Sequence, residues 1–318
     1  MVTNSDAAHT SRREAGTESV PGRDRERPPT VSLCIPAYQA ERHLQTTLDS
    51  VLAQTFTDLE VVIVDNHSSD GTRDILENVH DDRVRIIRNA ATVPMVDNFN
   101  LAIRESRGRF VKLICADDTI EPDCVATQAA VLEADDGVAL VSVRTDFIDD
   151  EGVLLRPARG LGGIVGHNSG QTVVRRIVRS GSNPVGPPVA GMFRRVDFDR
   201  CGGFRGELLF PMELDLWSRL VRKGDFVGVP RTLASFRIGS DSNTALTSAR
   251  SQLAQQLEFT SRLIHDPEWQ IPLSDRVLGR INSYDMQMRR SLLFALSALR
   301  ASRRRRALGS EKGRERPG

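Results

Sequence analysis

The sequence predicts an α/β fold in which a mostly parallel central sheet is flanked by helices. Two apolar runs rich in β-branched residues, 59–65 and 110–115, each stop where acidic and turn-forming residues begin, and such runs are typical of buried strands. Between residues 31 and 144 these runs alternate with segments of helical periodicity. That alternation predicts right-handed βαβ crossovers and therefore parallel strands.

The elements of the first half follow from their apolar spacing and their turn residues. The first strand is predicted from Val31 to Ile35 and ends at Pro36, and the segment after it carries leucines at helical spacing. Further strands are predicted over 59–65, 84–88, 110–115 and 138–144, and helices over 41–54, 72–80, 96–106 and 122–134.

The pattern loosens in the second half, so fewer regular elements are predicted there. Five glycines predict a loop over 160–170, and three prolines exclude regular structure over 183–188. The segment 210–223 has apolar residues on one face and stops at Gly224, which is typical of an amphipathic helix. A helix is also predicted over 171–179, strands over 190–194, 226–229 and 233–238, and helices after residue 248.

Composition divides the 318 residues into four predicted parts. Residues 1–29 are polar and lack periodicity, which predicts a disordered tail. The α/β domain is expected over 30–240, a helical extension over 241–300, and a basic, disordered tail over 301–318. A hydrophobic content of 39% and a charged content of 27% suit a globular protein, and no apolar run approaches the roughly 20 residues of a membrane helix.

The net charge and the cysteine spacing indicate which binding partners and which cellular compartment to expect. The net charge of +1 gives no reason to expect a nucleic-acid partner. The four cysteines lack zinc-type spacing, and no apolar core typical of a signal peptide precedes residue 30. We therefore expect a reduced, cytoplasmic protein.

Carboxylates at two predicted strand ends are the first site candidates. Asp65 ends the run 59–65, and ligands of open α/β sheets bind outside the carboxyl ends of the strands, so a ligand role is favoured over a turn role. Asp117 and Asp118 precede two further acids, and four carboxylates within seven residues repel one another unless a cation is present. Capping of the following helix is the alternative. Oxygen ligands suit Mg²⁺ or Mn²⁺ shared with substrate phosphates, so the metal site is favoured.

Three other charged residues are ambiguous on their own. Glu213 and Asp215 begin the amphipathic helix, where the helix dipole favours acids in any protein. Arg237 lies on the last predicted strand and is compatible with a structural role or with bidentate binding of a phosphate.

The motifs taken together resemble the family-two, GT-A-fold inverting glycosyltransferases. Their usual opening is V-S-x-x-I-P-x-Y-N, then a helix ending S-x-x-x-Q-T, then a strand ending V-D-D/N-x-S-x-D-G-T. The matching residues are Pro36, Ala37, Tyr38, Ser50, Gln54, Thr55, Asp65, Ser68, Asp70, Gly71 and Thr72. The stretches 98–111, 201–204, 212–220 and 236–237 resemble later motifs in the usual order, so the resemblance covers roughly 31–240.

The resemblance implies a function and a set of site residues. The function is transfer of a sugar from a nucleoside-diphosphate sugar to an acceptor hydroxyl with inversion, in cell-surface or secondary glycan synthesis. The implied donor-binding residues are Pro36, Ala37, Tyr38, Asp65, Asn100 and Asp117, with Asp65 paired to the base. Arg237 is added as a donor-binding candidate because a guanidinium binds phosphate oxygens. Asp117 and Asp118 would contact the Mg²⁺ or Mn²⁺ on the diphosphate, and an acid at the start of the helix would be the general base.

Two departures from the family pattern bear on these roles. The metal motif often reads D-x-D-D, but Cys115 occupies its first position here, so metal binding would depend on Asp117 and Asp118. The usual catalytic aspartate falls on Glu213, one methylene longer. The base is therefore Glu213 or Asp215, and Glu213 is favoured.

Other functions fit the sequence less well. A nucleotidyltransferase needs a glycine-rich loop after the first strand, a dehalogenase-type phosphatase needs D-x-D-G-T, and a nicotinamide enzyme needs G-x-G-x-x-G, and none of these occurs. Because Cys115 and Met212 depart from the pattern, a degenerate module that binds a nucleotide sugar or a partner without turnover stays open.

The C-terminal segment has a strong local charge. Ten lysines and arginines lie between Arg289 and Gly318, against two glutamates. The run 303–306 follows an amphipathic segment, which is compatible with a solvated tail or with peripheral contact to an anionic inner membrane leaflet. The resemblance also implies a glycan or lipid-linked acceptor, which fits such contact.

Overall fold

The structure of this chain is a computed structural model that describes residues 27–239, 248–289 and 291–292. The predicted tails 1–29 and 301–318 lie almost wholly outside the described residues, and the division into domains stays a prediction. The strands are β1 Val31–Ala37, β2 Leu59–Asp65, β3 Val84–Arg88, β4 Phe110–Leu113, β5 Thr119–Ile120, β6 Val138–Ile148, β7 Leu154–Arg159, β8 Gly166–Asn168, β9 Gly191–Arg194 and β10 Asp225–Arg237.

The helices of the described residues alternate with the strands in the first half and dominate after β10. They are α1 Leu44–Leu52, α2 Thr72–Glu77, α3 Met95–Arg104, α4 Cys124–Ala134, α5 Gly170–Ser180, α6 Arg195–Cys201, α7 Met212–Leu220, α8 Ala249–His265 and α9 over 273–289. None of these helices has the length and apolar content to cross a bilayer.

One mixed sheet forms the centre of the fold. Its order is β3-β2-β1-β4-β9-β6-β10-β5, with β7 paired to β6 and β8 paired to β10. Strands β3, β2, β1 and β4 are parallel, and β6 and β10 run in the same direction across the antiparallel β9. The predicted α/β class is therefore confirmed, and six strands share one direction.

Two hydrophobic cores lie on the two faces of the sheet. One contains the apolar faces of α1 and α4, and the other contains those of α3, α5, α7 and α8. All seven residues of β2 are buried, because a parallel strand covered by helices on both faces has no solvent side. This burial explains why the run LEVVIVD is apolar almost throughout rather than alternating.

The structure corrects the predicted end of the first strand. Strand β1 continues through Pro36 to Ala37. Cys34 accepts a hydrogen bond from the Ile114 N–H on the β4 side, at the point where the pairing with β4 ends. Pro36 lies two residues further along and faces the same side, so its missing N–H interrupts no ladder.

The second half contains more strand than predicted. Strands β7 and β8 occupy segments expected to be irregular or loop, and β10 is one strand where two were predicted. Its pairing with β6 shifts register between Val229 and Ala234, around Pro230. The strand continues through a bulge at this proline. The sequence pattern alone predicts that the strand ends there.

Candidate active site

The predicted site residues that follow β1, β2 and β4 lie at the carboxyl edge of the parallel strands. Ala37 at the end of β1 lies opposite Asp65 at the end of β2, and Cys34 pairs with Leu113 near the end of β4. Strand β1 therefore separates Asp65 from the Asp117–Asp118 turn that follows β4. Two strand spacings amount to about 10 Å, so one ligand can span both strand ends.

Asp65 is buried, and its two carboxylate oxygens have different surroundings. Its Oδ1 accepts a hydrogen bond of 3.0 Å from the Ser68 N–H. Its Oδ2 lies 3.0 Å from Arg88 Nη1 in an ion pair, but no aligned hydrogen bond from a described residue reaches it. One oxygen thus fixes the loop after β2, and the other retains acceptor capacity.

Tyr38 and a network of asparagines surround Asp65. Tyr38 follows β1 and is 54% exposed, which leaves its ring available to a planar ligand. Asn66 holds the backbone of Val93 through both ends of its amide, at 2.9 Å each, and receives a further hydrogen bond of 2.8 Å from Asn89. The motif comparison missed this network, and the only sequence signal for it is asparagine after two consecutive strands.

The candidate metal ligands are three side chains in the turn after β4. One ligand atom from each of Cys115, Asp117 and Asp118 lies within 4.8 Å of the others. Asp118 is fully buried, and its Oδ1 accepts a 2.9 Å hydrogen bond from the Arg237 N–H. Its Oδ2 has no hydrogen-bond partner among the described residues. A buried carboxylate oxygen without a donor, beside a second carboxylate, fits a divalent cation.

Burial dominates the electrostatics of this turn. It raises the pKa of Asp118 well above its usual range, and the charge of Asp117 raises it further. Burial also raises the pKa of Asp117. The Cys115 thiol has a raised pKa because of burial first, and then because of the carboxylates of Asp118, Asp117 and Glu213. The negative charge at this turn therefore requires a cation for both aspartates to ionise together.

Arg237, at the end of β10, contacts the backbone of the Asp117–Asp118 turn. Its Nε donates to the Asp117 carbonyl at 3.0 Å, and its Nη1 donates to the carbonyls of Asp149 and Asp150 at 2.7 and 3.0 Å. These contacts tie the turn to the end of β6. The predicted contact of Arg237 with a phosphate stays a prediction.

Asn100 on α3 forms two hydrogen bonds with the backbone of Phe204. Its Oδ1 accepts from the Phe204 N–H at 2.8 Å, and its Nδ2 donates to the Phe204 carbonyl at 3.0 Å. Gly203 has a φ of +72°, and a Cβ there would lie 2.7 Å from Asn100 Oδ1. Glycine is required at this position both by conformation and by space. Direct contact of Asn100 with a donor stays a prediction.

The two candidate bases on α7 have different partners. Asp215 Oδ2 accepts from Arg219 Nη2 at 2.6 Å and from Nε at 3.0 Å, and Arg219 is buried. Glu213 Oε1 accepts a long hydrogen bond of 3.4 Å from Asn183 Nδ2. Asp215 therefore forms an ion pair with Arg219, and Glu213 lines a cavity. Which of the two carboxylates acts as the base stays a prediction.

That cavity lies between the loop at 181–183 and the C-terminal helices. Its volume is about 40 Å³, and its polar lining includes Glu213, Asn183, Gln256 and Gln287. Gln256 on α8 is 5% exposed, and its Nε2 has no hydrogen-bond partner among the described residues. Sequence reasoning missed Gln256. The available signal was a glutamine at helical spacing with Phe259 and Leu263, which are buried on the same face.

Comparisons with known proteins agree with this architecture. Residues 32–202, more than half of the chain, match the family described as Glycosyl transferase family 2. The uncharacterized protein MT1568 of Mycobacterium tuberculosis is 27% identical over 246 residues, which cover 75% of this chain and 77% of that protein. The Escherichia coli UDP-Glc:alpha-D-GlcNAc-diphosphoundecaprenol beta-1,3-glucosyltransferase WfaP is 29% identical over 105 residues, which cover 33% of this chain and 42% of WfaP.

Two solved structures share the fold. S. aureus TarS 1-349 in complex with UDP-GlcNAc has a TM-score of 0.60 at 17% identity, covering 80% of this chain and 72% of TarS 1-349. The mannosyltransferase PcManGT from Pyrobaculum calidifontis, in complex with GDP-Man and Mn2+, has a TM-score of 0.58 at 18% identity, covering 87% and 76%. These likenesses confirm the predicted GT-A fold. Because the family match covers more than half of the chain, the chain belongs to glycosyl transferase family 2.

Proposed function

We propose that this glycosyltransferase moves a sugar from a nucleoside-diphosphate sugar to an acceptor hydroxyl with inversion. The observation that carries the proposal is the buried, unpartnered Oδ2 of Asp118 beside Asp117, at the same sheet edge as Asp65. Asp117 and Asp118 would hold Mg²⁺ or Mn²⁺. When bound, that cation supplies neutralising charge to the leaving diphosphate.

The nucleoside would bind at the ends of β1 and β2. Asp65 Oδ2 would accept a hydrogen bond from an N–H of the base, and the Tyr38 ring would cover one side of it, with Pro36 and Ala37 as the floor. The exposed ring of Tyr38 and the incomplete hydrogen bonding of Asp65 support this arrangement. Asn100 would act by holding the 203–204 turn at the donor side.

Glu213 would act as the general base. As the acceptor oxygen attacks the anomeric carbon, its proton passes to the Glu213 carboxylate. The bond between that carbon and the phosphate oxygen breaks, and the electron pair leaves on the diphosphate. Attack opposite the leaving group inverts the anomeric centre without a covalent intermediate on the protein, so one positioned carboxylate suffices.

The acceptor would be a glycan or a lipid-linked saccharide of cell-surface or secondary glycan synthesis. WfaP, which is named as a glucosyltransferase for a diphosphoundecaprenol-linked sugar, supports this class. We place the reaction in the cytoplasm, at the inner face of the plasma membrane, which the four unpaired cysteines support. The basic run 303–306 would add contact with anionic lipid, but it lies outside the described residues.

A thermal-shift panel of nucleotide sugars, with and without Mn²⁺, tests the proposal on the full chain. We expect one donor to raise the melting temperature only when Mn²⁺ is present, because a ligand stabilises the folded state to which it binds. Slow hydrolysis of that donor, or transfer to an added acceptor, would then establish turnover. Binding without hydrolysis or transfer would identify a degenerate binding module instead, and no binding by any donor would contradict the proposed function.

A further inference from the structure

Helix α9 exposes a continuous apolar face. We define the α9 stripe as five side chains with exposed fractions of 74, 53, 60, 48 and 70%. They are, in order, Leu273, Val277, Ile281, Tyr284 and Met288. Scattered exposed apolar residues are ordinary in proteins, but a contiguous set on one element indicates an interaction surface.

The spacing of the stripe places it on one side of the helix. Successive members are four, four, three and four residues apart. At 3.6 residues per turn this spacing confines them to a sector of about 80°. The buried residues Asp275, Gly279 and Ser283 also repeat every four positions and lie on the opposite side. The stripe therefore points away from the rest of the described protein.

Tight packing fixes this orientation. A Cβ on Gly279 would lie 2.0 Å from the Val178 carbonyl oxygen, so α9 contacts the end of α5 through its backbone. Asp275 forms ion pairs with Arg175 and Arg179 of α5, at 2.9 and 3.3 Å. Rotation of α9 to hide the stripe would break these contacts.

Positive charge flanks the stripe. Arg276 and Arg280 are exposed along one border, and Arg289 lies on the other border in a 2.8 Å ion pair with Asp285. Arg276 also lines an open cavity of about 440 Å³ together with Arg175. An apolar helix face bordered by arginines is typical of helices that lie in the headgroup region of anionic bilayers.

We infer that α9 docks flat on an anionic lipid surface, with the α9 stripe at the acyl boundary and Arg276 and Arg280 at the headgroup phosphates. A lipid surface fits better than a second copy of this chain, because an antiparallel two-fold contact through the stripe would place the Arg276 and Arg280 borders of both copies on the same side. The inner face of α9 lines the Glu213 cavity through Ser283 and Gln287. Docking would therefore bring that cavity to the bilayer, while the docking itself does not depend on the proposed reaction.

Vesicle binding of the full chain tests the surface. We expect the parent to co-sediment with phosphatidylcholine vesicles that contain phosphatidylglycerol, and weakly with phosphatidylcholine alone. The double variant Ile281→Ser/Met288→Ser should bind at least about tenfold more weakly, since affinity scales with buried apolar area. The matched control is Leu154→Ser/Val196→Ser, which removes two exposed apolar side chains elsewhere and should bind as the parent does. Parent-like binding by the stripe variant would overturn the inference.

A fluorescence measurement separates insertion of α9 from tethering by any other basic segment. The native tryptophans, Trp217 and Trp269, are buried, so we expect their fluorescence to stay constant when vesicles are added. A change in emission then reports the surroundings of a tryptophan introduced into the stripe. Tyr284→Trp should shift its emission to shorter wavelength on anionic vesicles and be quenched by lipids brominated in the acyl chain. Vesicle binding without quenching would overturn the inference. A dimeric parent that becomes monomeric in the Ile281→Ser/Met288→Ser variant would also overturn it, in favour of an interface between copies.

Discussion

Arg237 donates its backbone N–H to Oδ1 of Asp118 at 2.9 Å, and the other oxygen of that carboxylate receives no hydrogen bond from a described residue. The same arginine binds the Asp117 carbonyl through its side chain. One residue at the end of β10 therefore fixes the aspartate pair and leaves one buried oxygen for another partner. An unsatisfied buried polar group costs about 1–3 kcal/mol, and a cation would remove that cost.

Replacement of Asp118 should weaken the binding of Mn²⁺. In Asp118→Asn we expect Mn²⁺ affinity, measured by titration calorimetry or by the paramagnetic resonance of free Mn²⁺, to fall at least about tenfold, because the site loses an anionic ligand. Asp123→Asn is the matched control, since Asp123 lies nearby and is exposed in an ion pair with Arg231. Equal affinity in the parent and in Asp118→Asn would place the cation elsewhere.

Glu213 and Asp215 should respond differently to neutralisation. Glu213→Gln should lower the transfer rate by about 10²–10⁴-fold, the usual contribution of a general base, with donor affinity and melting temperature unchanged. Asp215→Asn should instead lower the melting temperature, because it leaves the buried Arg219 without its carboxylate and breaking such pairs destabilises. Enzyme rates and thermal melts of both variants check this, and a catalytic collapse in Asp215→Asn alone would exchange the two roles.

Replacement of Gln256 should change the KM for the acceptor and leave the KM for the donor unchanged. Gln256 lines the cavity that also contains Glu213, and its Nε2 has no hydrogen-bond partner among the described residues. We expect Gln256→Leu to raise the KM for the acceptor by about tenfold and to leave the donor KM unchanged. A hydrogen bond between uncharged groups contributes at most about 1.5 kcal/mol, which corresponds to about tenfold in affinity. The variant should fold at least as stably as the parent, since a lone buried amide is replaced by an apolar group.

Ser261→Ala on the exposed side of the same helix is the control for Gln256, and should leave both KM values unchanged. An unaltered acceptor KM in Gln256→Leu would assign this cavity a structural role only.

His43 should make stability depend on pH. Burial lowers its pKa from 6.5 to about 4, and the charges of Arg237 and Arg42 act in the same direction. As the pH falls, His43 of the unfolded chain binds a proton near pH 6.5, whereas His43 of the folded chain binds one only near pH 4. Its contribution to the free energy of unfolding is therefore complete above pH 6.5 and is lost as the pH falls from 6.5 to about 4. His43→Gln should flatten the curve in that window by about 1 kcal/mol, after allowance for solvent screening.

Urea unfolding of both proteins at pH 7 and pH 4.5 measures the effect of His43, with the exposed His80→Gln as control. The same decline with falling pH in the parent and in His43→Gln would show that other groups are responsible.

Local patterns predicted much of the fold and the placement of the site. Strands β2 and β3 lie where they were predicted, because both are short β-branched runs bounded by turn residues. Predictions failed where distant partners decide the conformation. Strand β1 extends through Pro36 because β4 pairing has already ended there, and β7 and β8 form because the edges of β6 and β10 receive them.

The sequence by itself determined the family, the α/β class and the identity of the candidate carboxylates, because strand periodicity and motif order are local properties of the chain. Only the tertiary structure decided how those groups are used. In the folded chain Asp215 forms an ion pair with Arg219, and Arg237 donates a hydrogen bond to the Asp117 carbonyl. Gln256 of α8 lines the same cavity as Glu213. Hydrogen-bond partners depend on which distant segments meet, and that is set by packing rather than by spacing along the chain.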